Sequence, residues 1–278
     1  MGCDHAYVDI RLLQEGKVTH ALAMDVAEGP LATARSNLEL TELLGDGRQG
    51  CELRKSDGLA QYVPGEAQVL ICAGMGGILM RSILEKEPEK ALSFQEMILS
   101  PHREVNLVRE WLFANECRIA QERFFQEEGK YYTVMRVLCP CREQGEAVQA
   151  GRHPDWDRIA GQIRAFPEEV LQKAMVSRES LCRILEDTAF RKMAEECWGP
   201  CILEEYLSGR DPSASPCFDR FVKETLRSKL QLMKKLADSP SGENAAARMN
   251  QLSGEIGTLQ VLLAVHELSG LQAGVHAG

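Results

Sequence analysis

Short apolar runs alternate with amphipathic stretches along the first 138 residues, and this alternation constrains the fold more than any other feature of the chain. Ala21-Leu22-Ala23-Met24-Asp25-Val26 reads as a short buried strand, and Pro30 then opens a helix with Leu31, Ala34, Leu38 and Leu43 on one side. Glu52-Leu53-Arg54-Lys55 is a weaker strand, and Val69-Leu70-Ile71-Cys72-Ala73 a strong one, closed by Gly74-Met75-Gly76-Gly77. A helix follows through Ile78, Leu79, Ile83 and Leu84 and ends before Pro88. Met97-Ile98-Leu99-Ser100 is a strand stopped by Pro101, and Val105 to Asn115 a helix. Arg118 to Phe125 and Tyr131 to Leu138 are two strands with no helix between them. Alternating strands and helices imply a parallel α/β sheet, and the closing pair implies an antiparallel edge.

The second half carries a different pattern. Residues 156–196 are helical with a break near Pro167, and Trp198-Gly199-Pro200 is a second break. Two long amphipathic stretches follow, Phe218 to Ala237 and Ala245 to Leu268, joined by a turn at Asp238 to Gly242. In the second, Met249, Leu252, Ile256, Leu259, Leu263 and His266 recur at spacings of three and four. That seam suits either an antiparallel coiled-coil-like hairpin, at about 216–268, or a helical subdomain packed on the sheet. The polar, glycine-containing stretch 144–153 separates the halves, so the expected domains are 1–141 and 142–278.

Lys+Arg number 32 against Asp+Glu 41, which excludes a uniformly basic nucleic-acid binder but not a local basic face. Residues 1–140 hold 15 cationic and 21 anionic side chains, and residues 141–278 hold 17 and 20. Arg220, Lys223, Arg227, Lys229, Lys234, Lys235 and Arg248 make the hairpin the best source of such a face, though Asp219, Glu224, Glu243 and Glu255 share its helices. In the first half Arg81, Arg103, Arg109 and Arg123 either line a phosphate path or are ordinary surface arginines. No apolar run reaches the roughly 18 residues of a membrane helix. The start, M-G-C-D-H, lacks a secretory signal, so the ten cysteines are expected as free thiols in the cytoplasm. Neither Cys139/Cys141 nor Cys197/Cys201 has C-x-x-C spacing, and no metal site is expected.

Four motifs fall where such a sheet binds ligands, beyond the carboxyl ends of its strands. They are Gly2-Cys3-Asp4 ahead of a helical stretch, Asp25 ending a strand, Asp57-Gly58 after the next, and Gly74-Met75-Gly76-Gly77 after the third. Glycines let the backbone approach a ligand, and a strand-end carboxylate can accept two ribose hydroxyls. Each motif alone is more often a turn or a cap. Their succession at consecutive strand ends is the stronger signal.

The stretches G-C-D-H-A-Y, A-M-D-V-A-E-G-P, S-D-G-L, I-C-A-G-M-G-G, S-P-H and E-E-G-K-Y-Y resemble the TrmK family of bacterial tRNA methyltransferases over residues 1–138. The W-G-P-x-x-L-E-E segment from Trp198 and the hairpin resemble the family more loosely, and residues 142–196 match poorly. The resemblance implies a Rossmann-like class I methyltransferase sheet with a C-terminal helical domain. It also implies transfer of methyl from S-adenosylmethionine to N1 of adenine 22 in tRNA, by a cytoplasmic enzyme for which a monomer is one open oligomeric state. Carried over by motif, Gly2 and Asp4 flank the methionine end of the cofactor and Asp25 takes the ribose. Asp57 with Gly58 takes the adenine edge, and Ala73, Gly74 and Met75 form the floor. Asp4 is the expected catalytic carboxylate, with His5 and His102 as proton relays. On the residues alone, Asp4 is equally a helix cap and His5 a packing residue. Two departures stand out. The family places a strand before the G-x-D-H motif, whereas Met1 stands almost at the motif here, so a sheet lacking its central first strand is expected, from a misplaced start or a fragment. His102 replaces the usual Asn. A small-molecule methyltransferase and a non-catalytic helical adaptor are the competing readings.

Overall fold

The computed structural model describes residues 1–45, 49–140, 153–166, 171, 177–208, 216–238 and 243–275. Its internal contacts divide it into two units, residues 1–122 with 132–150, and residues 123–131 with 151–278.

The first unit begins with α1 (Tyr7–Gln14), β1 (His20–Asp25), α2 (Glu28–Leu40) and β2 (Gly50–Lys55). It continues with β3 (Val69–Ala73), α3 (Gly77–Lys86), α4 (Pro88–Ala91), β4 (Glu96–Ser100) and α5 (Val105–Ala114). A hairpin of β5 (Arg118–Glu127) and β6 (Lys130–Leu138) closes the sheet. β1 and β2 pair in parallel, and β3 pairs in parallel with β4. β6 runs antiparallel to β4, in the order β3-β4-β6-β5. This is the expected parallel sheet with an antiparallel edge.

Among the described residues, no strand pairing joins β1 to β3. Residues 1–3 bridge one end of that gap. The Met1 ammonium donates to Ile71 O at 3.0 Å and Cys3 N to Met24 O at 3.0 Å, one bond to each strand. The gap also divides the core. Ala6, Ile10, Ala23, Ala34, Leu38 and Cys51 form a small cluster around β1 and β2. Met80, Leu84, Met97, Leu99, Leu112, Met135 and Val137 are buried on the four-stranded side.

Prolines mark helix starts, but not where the sequence pattern puts them. α2 opens at Glu28, because its first turn tolerates Pro30, whose missing N–H has no helical acceptor there. Pro88 does not merely follow a helix. It begins α4, where its fixed φ suits the first helical position.

The second unit holds α6 (Trp156–Ala165), α7 (Arg178–Glu186), α8 (Thr188–Trp198), α9 (Pro200–Ser208), α10 (Pro216–Asp238) and α11 (Glu243–Val275). Asp155, Ser177 and Asp187 cap α6, α7 and α8 through their side chains. Gly199, with φ of 88°, makes the break before Pro200. The breaks expected near Pro167 and in 239–242, and the boundary segment up to residue 152, lie outside the described residues. Leu252 and Ile256 follow the expected seam, but beyond them Thr258, Leu259, Val261, Leu262, Val265 and Leu268 are all buried. α11 is therefore seam-like over its first half and a core element over its second, where α9 and α6 also pack on it. Residues 123–131 group with these helices because their aromatics do. Phe124 packs on Phe218 and Phe221, and Tyr131 donates to Glu224 at 2.8 Å. The two-residue turn Glu128-Gly129 has φ of 47° and 75°, the doubly left-handed geometry of a tight hairpin. Of the hairpin cations, Lys223 pairs with Asp219 and Lys229 with Glu255, while Lys234 and Lys235 are exposed. No helix among the described residues is long and apolar enough to cross a membrane.

Two arginines considered for a phosphate path are engaged in the first unit. Arg81 pairs with Glu85 and Glu110. Arg109 is buried and bonds Glu122 through Nε at 3.0 Å and Nη2 at 2.9 Å, with side-chain exposures of 2% and 0%. Removing one member of a buried pair strands the other charge. Glu122→Ala should cost about 3–5 kcal/mol in urea unfolding, while the apolar pair Arg109→Met with Glu122→Leu should recover most of that loss.

Candidate functional site

The site is built at the carboxyl ends of β1, β2, β3 and β4. Its first piece is the loop 2–6, in which Gly2, Asp4 and Ala6 have φ of 62°, 50° and 60°. Left-handed backbone is costly for Asp and Ala, so the loop needs anchors. Cys3 N donates to Met24 O, Ala6 N to Cys3 O at 2.8 Å, and the Ala6 side chain is fully buried.

Asp25 ends β1 and ties this loop to the next turn. Its Oδ2 accepts from Asp4 N at 3.2 Å, and its Oδ1 from Ala27 N at 3.0 Å. Each oxygen keeps a further lone pair. Asp4 is exposed, and its Oδ1 lies 3.6 Å from His5 Nδ1. It does not cap α1: the N-cap is Ala6, without a side-chain hydrogen bond. His5 meets Tyr7 edge-on at 5.8 Å. The half-buried Cys3 thiol is pushed up to about 11, first by burial and then by the Asp9 and Asp25 carboxylates, so it stays protonated at neutral pH. Burial also raises the Asp9 carboxyl above its usual range.

Gly58 follows β2 with φ of 58°, and a Cβ there would meet Ile83 Cγ2 at 2.7 Å. The buried Ser56 closes this turn, donating to Gly58 O at 2.8 Å and accepting from Gln61 N at 3.1 Å. Asp57 is exposed, and its Oδ2 accepts from Lys86 Nζ at 2.6 Å. That ion pair is absent from the sequence reading, since nothing in the spacing of residues 57 and 86 announces it.

Ala73 ends β3, and Gly74 and Met75 follow it. Gly74 has φ of 83°, and a Cβ there would meet nothing within 4 Å, so the backbone faces open space. Met75 closes over the first loop, with Cε 3.1 Å from where a Gly2 Cβ would stand and Sδ 3.5 Å from Cys72 Sγ. Two bonds lock this turn to the one after β4: His102 N donates to Met75 O at 2.9 Å and Gly77 N to Arg103 O at 2.8 Å. His102 is exposed, with its ring edge-on to Tyr132 at 5.7 Å.

Direct bonds thus join Asp4 to Asp25, and Met75 to His102, while Met75 also closes on Gly2. Asp57 and Gly58 stand at the neighbouring strand end. Asn37, whose Nδ2 donates to His5 O at 3.0 Å, was missed by the sequence reading. A polar residue beside Leu38 on the buried stripe of α2 was its available signal.

Residues 1–135 match the model of a family described as a methyltransferase domain. This part of the chain is similar to that family and has the α/β fold of its solved neighbours. Over 135 residues it is 32% identical to the tRNA (adenine(22)-N(1))-methyltransferase of Bacillus subtilis, a stretch covering 49% of this chain and 55% of that relative. The chain thus matches little more than half the length of that relative. The crystal structure of B. subtilis TrmK matches over 95% of this chain and 90% of its own, at 20% identity and TM-score 0.66. A putative tRNA (m1A22) methyltransferase from Streptococcus pneumoniae, in complex with S-adenosyl-L-methionine, matches over 95% and 90% at 22% identity and TM-score 0.58. The resemblance to the TrmK family is borne out by the sequence relative, and both units share the fold of these solved structures.

The glycines of the domain differ in what they protect. A Cβ on Gly77 would stand 2.3 Å from Glu104 O and 2.6 Å from Arg103 O, against backbone that cannot step aside. Gly77→Ala should destabilise the domain by about 1–3 kcal/mol in thermal unfolding and break the lock between Met75 and His102. Gly74→Ala, strained only by its φ, should cost less, about 1–2 kcal/mol.

Proposed function

We propose that this chain transfers a methyl group from S-adenosylmethionine to N1 of an adenine in tRNA, position 22 in the relatives' nomenclature. The observation that carries the reading is the Asp25 carboxylate, which binds the Asp4 amide and brings a ribose acceptor and a carboxylate for the reacting base together. The residues fit the cofactor. Gly74 offers backbone to open space, Gly2 and Met75 stand beside it, and Asp25 keeps lone pairs for two hydroxyls.

The cofactor supplies an electrophilic methyl on a sulfonium. Asp25 would hold the ribose, and Asp57 would meet the adenine edge through the oxygen that Lys86 leaves. Ala73, Gly74 and Met75 floor the site, with Gly2 and Gly58 giving the backbone close approach. Adenine N1 attacks with its own lone pair, so no base is needed before transfer. The ring becomes cationic, and the Asp4 carboxylate stabilises that charge as it develops. His5 and His102 hold and pass on the proton that the product gives up. The target adenine leaves its stack to present N1. A tRNA acceptor suits work in the cytoplasm. The exposed Lys234 and Lys235 are the best phosphate contacts in the helical unit. The net charge of −9 and the pairing of Lys223 and Lys229 with carboxylates favour a second reading, a small-molecule acceptor.

Asp25→Ala should weaken S-adenosylmethionine binding by roughly 1.5–3 kcal/mol, read by calorimetry, because buried hydroxyls lose their acceptor. Unchanged affinity would remove Asp25 from the ribose. Asp4→Ala should slow single-turnover methylation of tRNA roughly a hundredfold or more while tRNA affinity holds. Methyl transfer to small acceptors but not to tRNA would replace the first reading by the second.

A further inference from the structure

We propose that Asn37 is a positioning residue for methyl transfer, holding the Asp4–His5 segment at the His5 carbonyl while Asp25 holds it at the Asp4 amide. The inference rests on the functional reading above and adds to it a residue that touches neither cofactor nor base.

The Asp4–His5 segment is bracketed by two side chains from different elements. Asp25, at the end of β1, takes the Asp4 amide at 3.2 Å. Asn37, within α2, gives its Nδ2–H to the His5 carbonyl at 3.0 Å. A carbonyl oxygen can only accept, so the nitrogen of the Asn37 amide must face it. The two bonds hold the amide of residue 4 and the carbonyl of residue 5, and so restrain both ends of this segment. Within it Asp4 has a left-handed φ of 50°, with a second left-handed residue at Ala6. A chain free of these anchors would relax to right-handed or extended backbone and swing the Asp4 carboxylate away.

The anchor is itself rigid. Asn37 is half-buried between Ala34 and Leu38, both fully buried in the small cluster around β1 and β2, and its own carbonyl accepts from Thr41 N and Thr41 Oγ1. α2 thus carries a fixed donor to a strained loop. That makes transition-state geometry, rather than ground-state binding of tRNA, the property at stake.

Asn37→Asp keeps the shape, loses the donor and sets a carboxylate against the carbonyl. Asn37→Gln keeps the donor on a stem one methylene longer. In the full chain, Asn37→Asp should speed hydrogen exchange at the Asp4, His5 and Ala6 amides about tenfold. It should lower kcat for tRNA methylation by about tenfold to a hundredfold, with KM for tRNA within about twofold. The thermal midpoint should stay near that of the wild type, and Asn37→Gln should recover much of kcat. If Asn37→Asp does not fold, Asn37→Ala carries the same comparison without the added charge. Unchanged exchange at residues 4–6 would overturn the proposal, as would faster exchange with wild-type kcat. A rise in KM alone would also overturn it. If the wild-type chain transfers no methyl group, the functional reading fails separately, and the exchange measurement alone decides whether Asn37 holds the loop.

Discussion

The Asp25 carboxylate accepts from two backbone amides, those of Asp4 and Ala27, at 3.2 and 3.0 Å. Charge-assisted bonds of this kind are about twice as strong as neutral ones. Here they join a loop with two strained non-glycine residues to the turn that opens α2, whose N-cap, Ala27, has no side chain to cap it. One side chain thus satisfies a helix start and holds the first loop against β1, and it still presents lone pairs outward. Placement of Asp4 and His5, closure of Met75 over Gly2, and the route to the open face of Gly74 all depend on that loop staying where Asp25 holds it.

What was legible in the sequence follows from which forces are local. β3 and β4 were readable almost to the residue, because each is a continuous apolar run ended by a glycine or a proline. The strand-end motifs were readable because a βα turn needs glycine or a capping residue wherever a ligand or another backbone comes close. The start of α2 was misplaced, since Pro30 is tolerated in a first turn as well as favoured at its start. Lys86 on Asp57 and Glu122 on Arg109 were invisible, because each joins residues brought together only by folding and neither partner leaves a periodic trace. Asn37 showed as a polar residue on the buried stripe of α2, but its partner His5 did not. The grouping of residues 123–131 with the helices escaped for the same reason: the pattern of Phe124 and Tyr131 shows a strand, and nothing in it shows Phe218 and Phe221.

In the helical unit, a seam of threes and fours cannot tell a solvated hairpin from a core helix. The distinction lies in the residues between the seam positions. Before residue 257 they are mostly exposed, as at Ser253 and Gly254, and a single partner helix suffices. After it, Thr258, Val261, Leu262 and Val265 are buried too, and His266 stacks on Tyr206 at 3.9 Å with its Nδ1 2.9 Å from Tyr206 O. An apolar face that widens along one helix marks the point where one neighbour becomes several.

The gap between β1 and β3 bears on the site through stability. β1 and β2 form a two-stranded sheet supported by α1, α2 and a small cluster, and two strands alone are marginal. The loop 2–6, Asp25 and the β2 turn with Asp57 all belong to this less supported side. Gly74, Met75 and His102 belong to the four-stranded side. A ligand that touches both would bridge a boundary that the backbone crosses with only a few bonds, among them Met1 to Ile71 and Cys3 to Met24. Asp25 and Asn37 act on one side of that boundary, where their bonds keep the first loop in place before any ligand arrives.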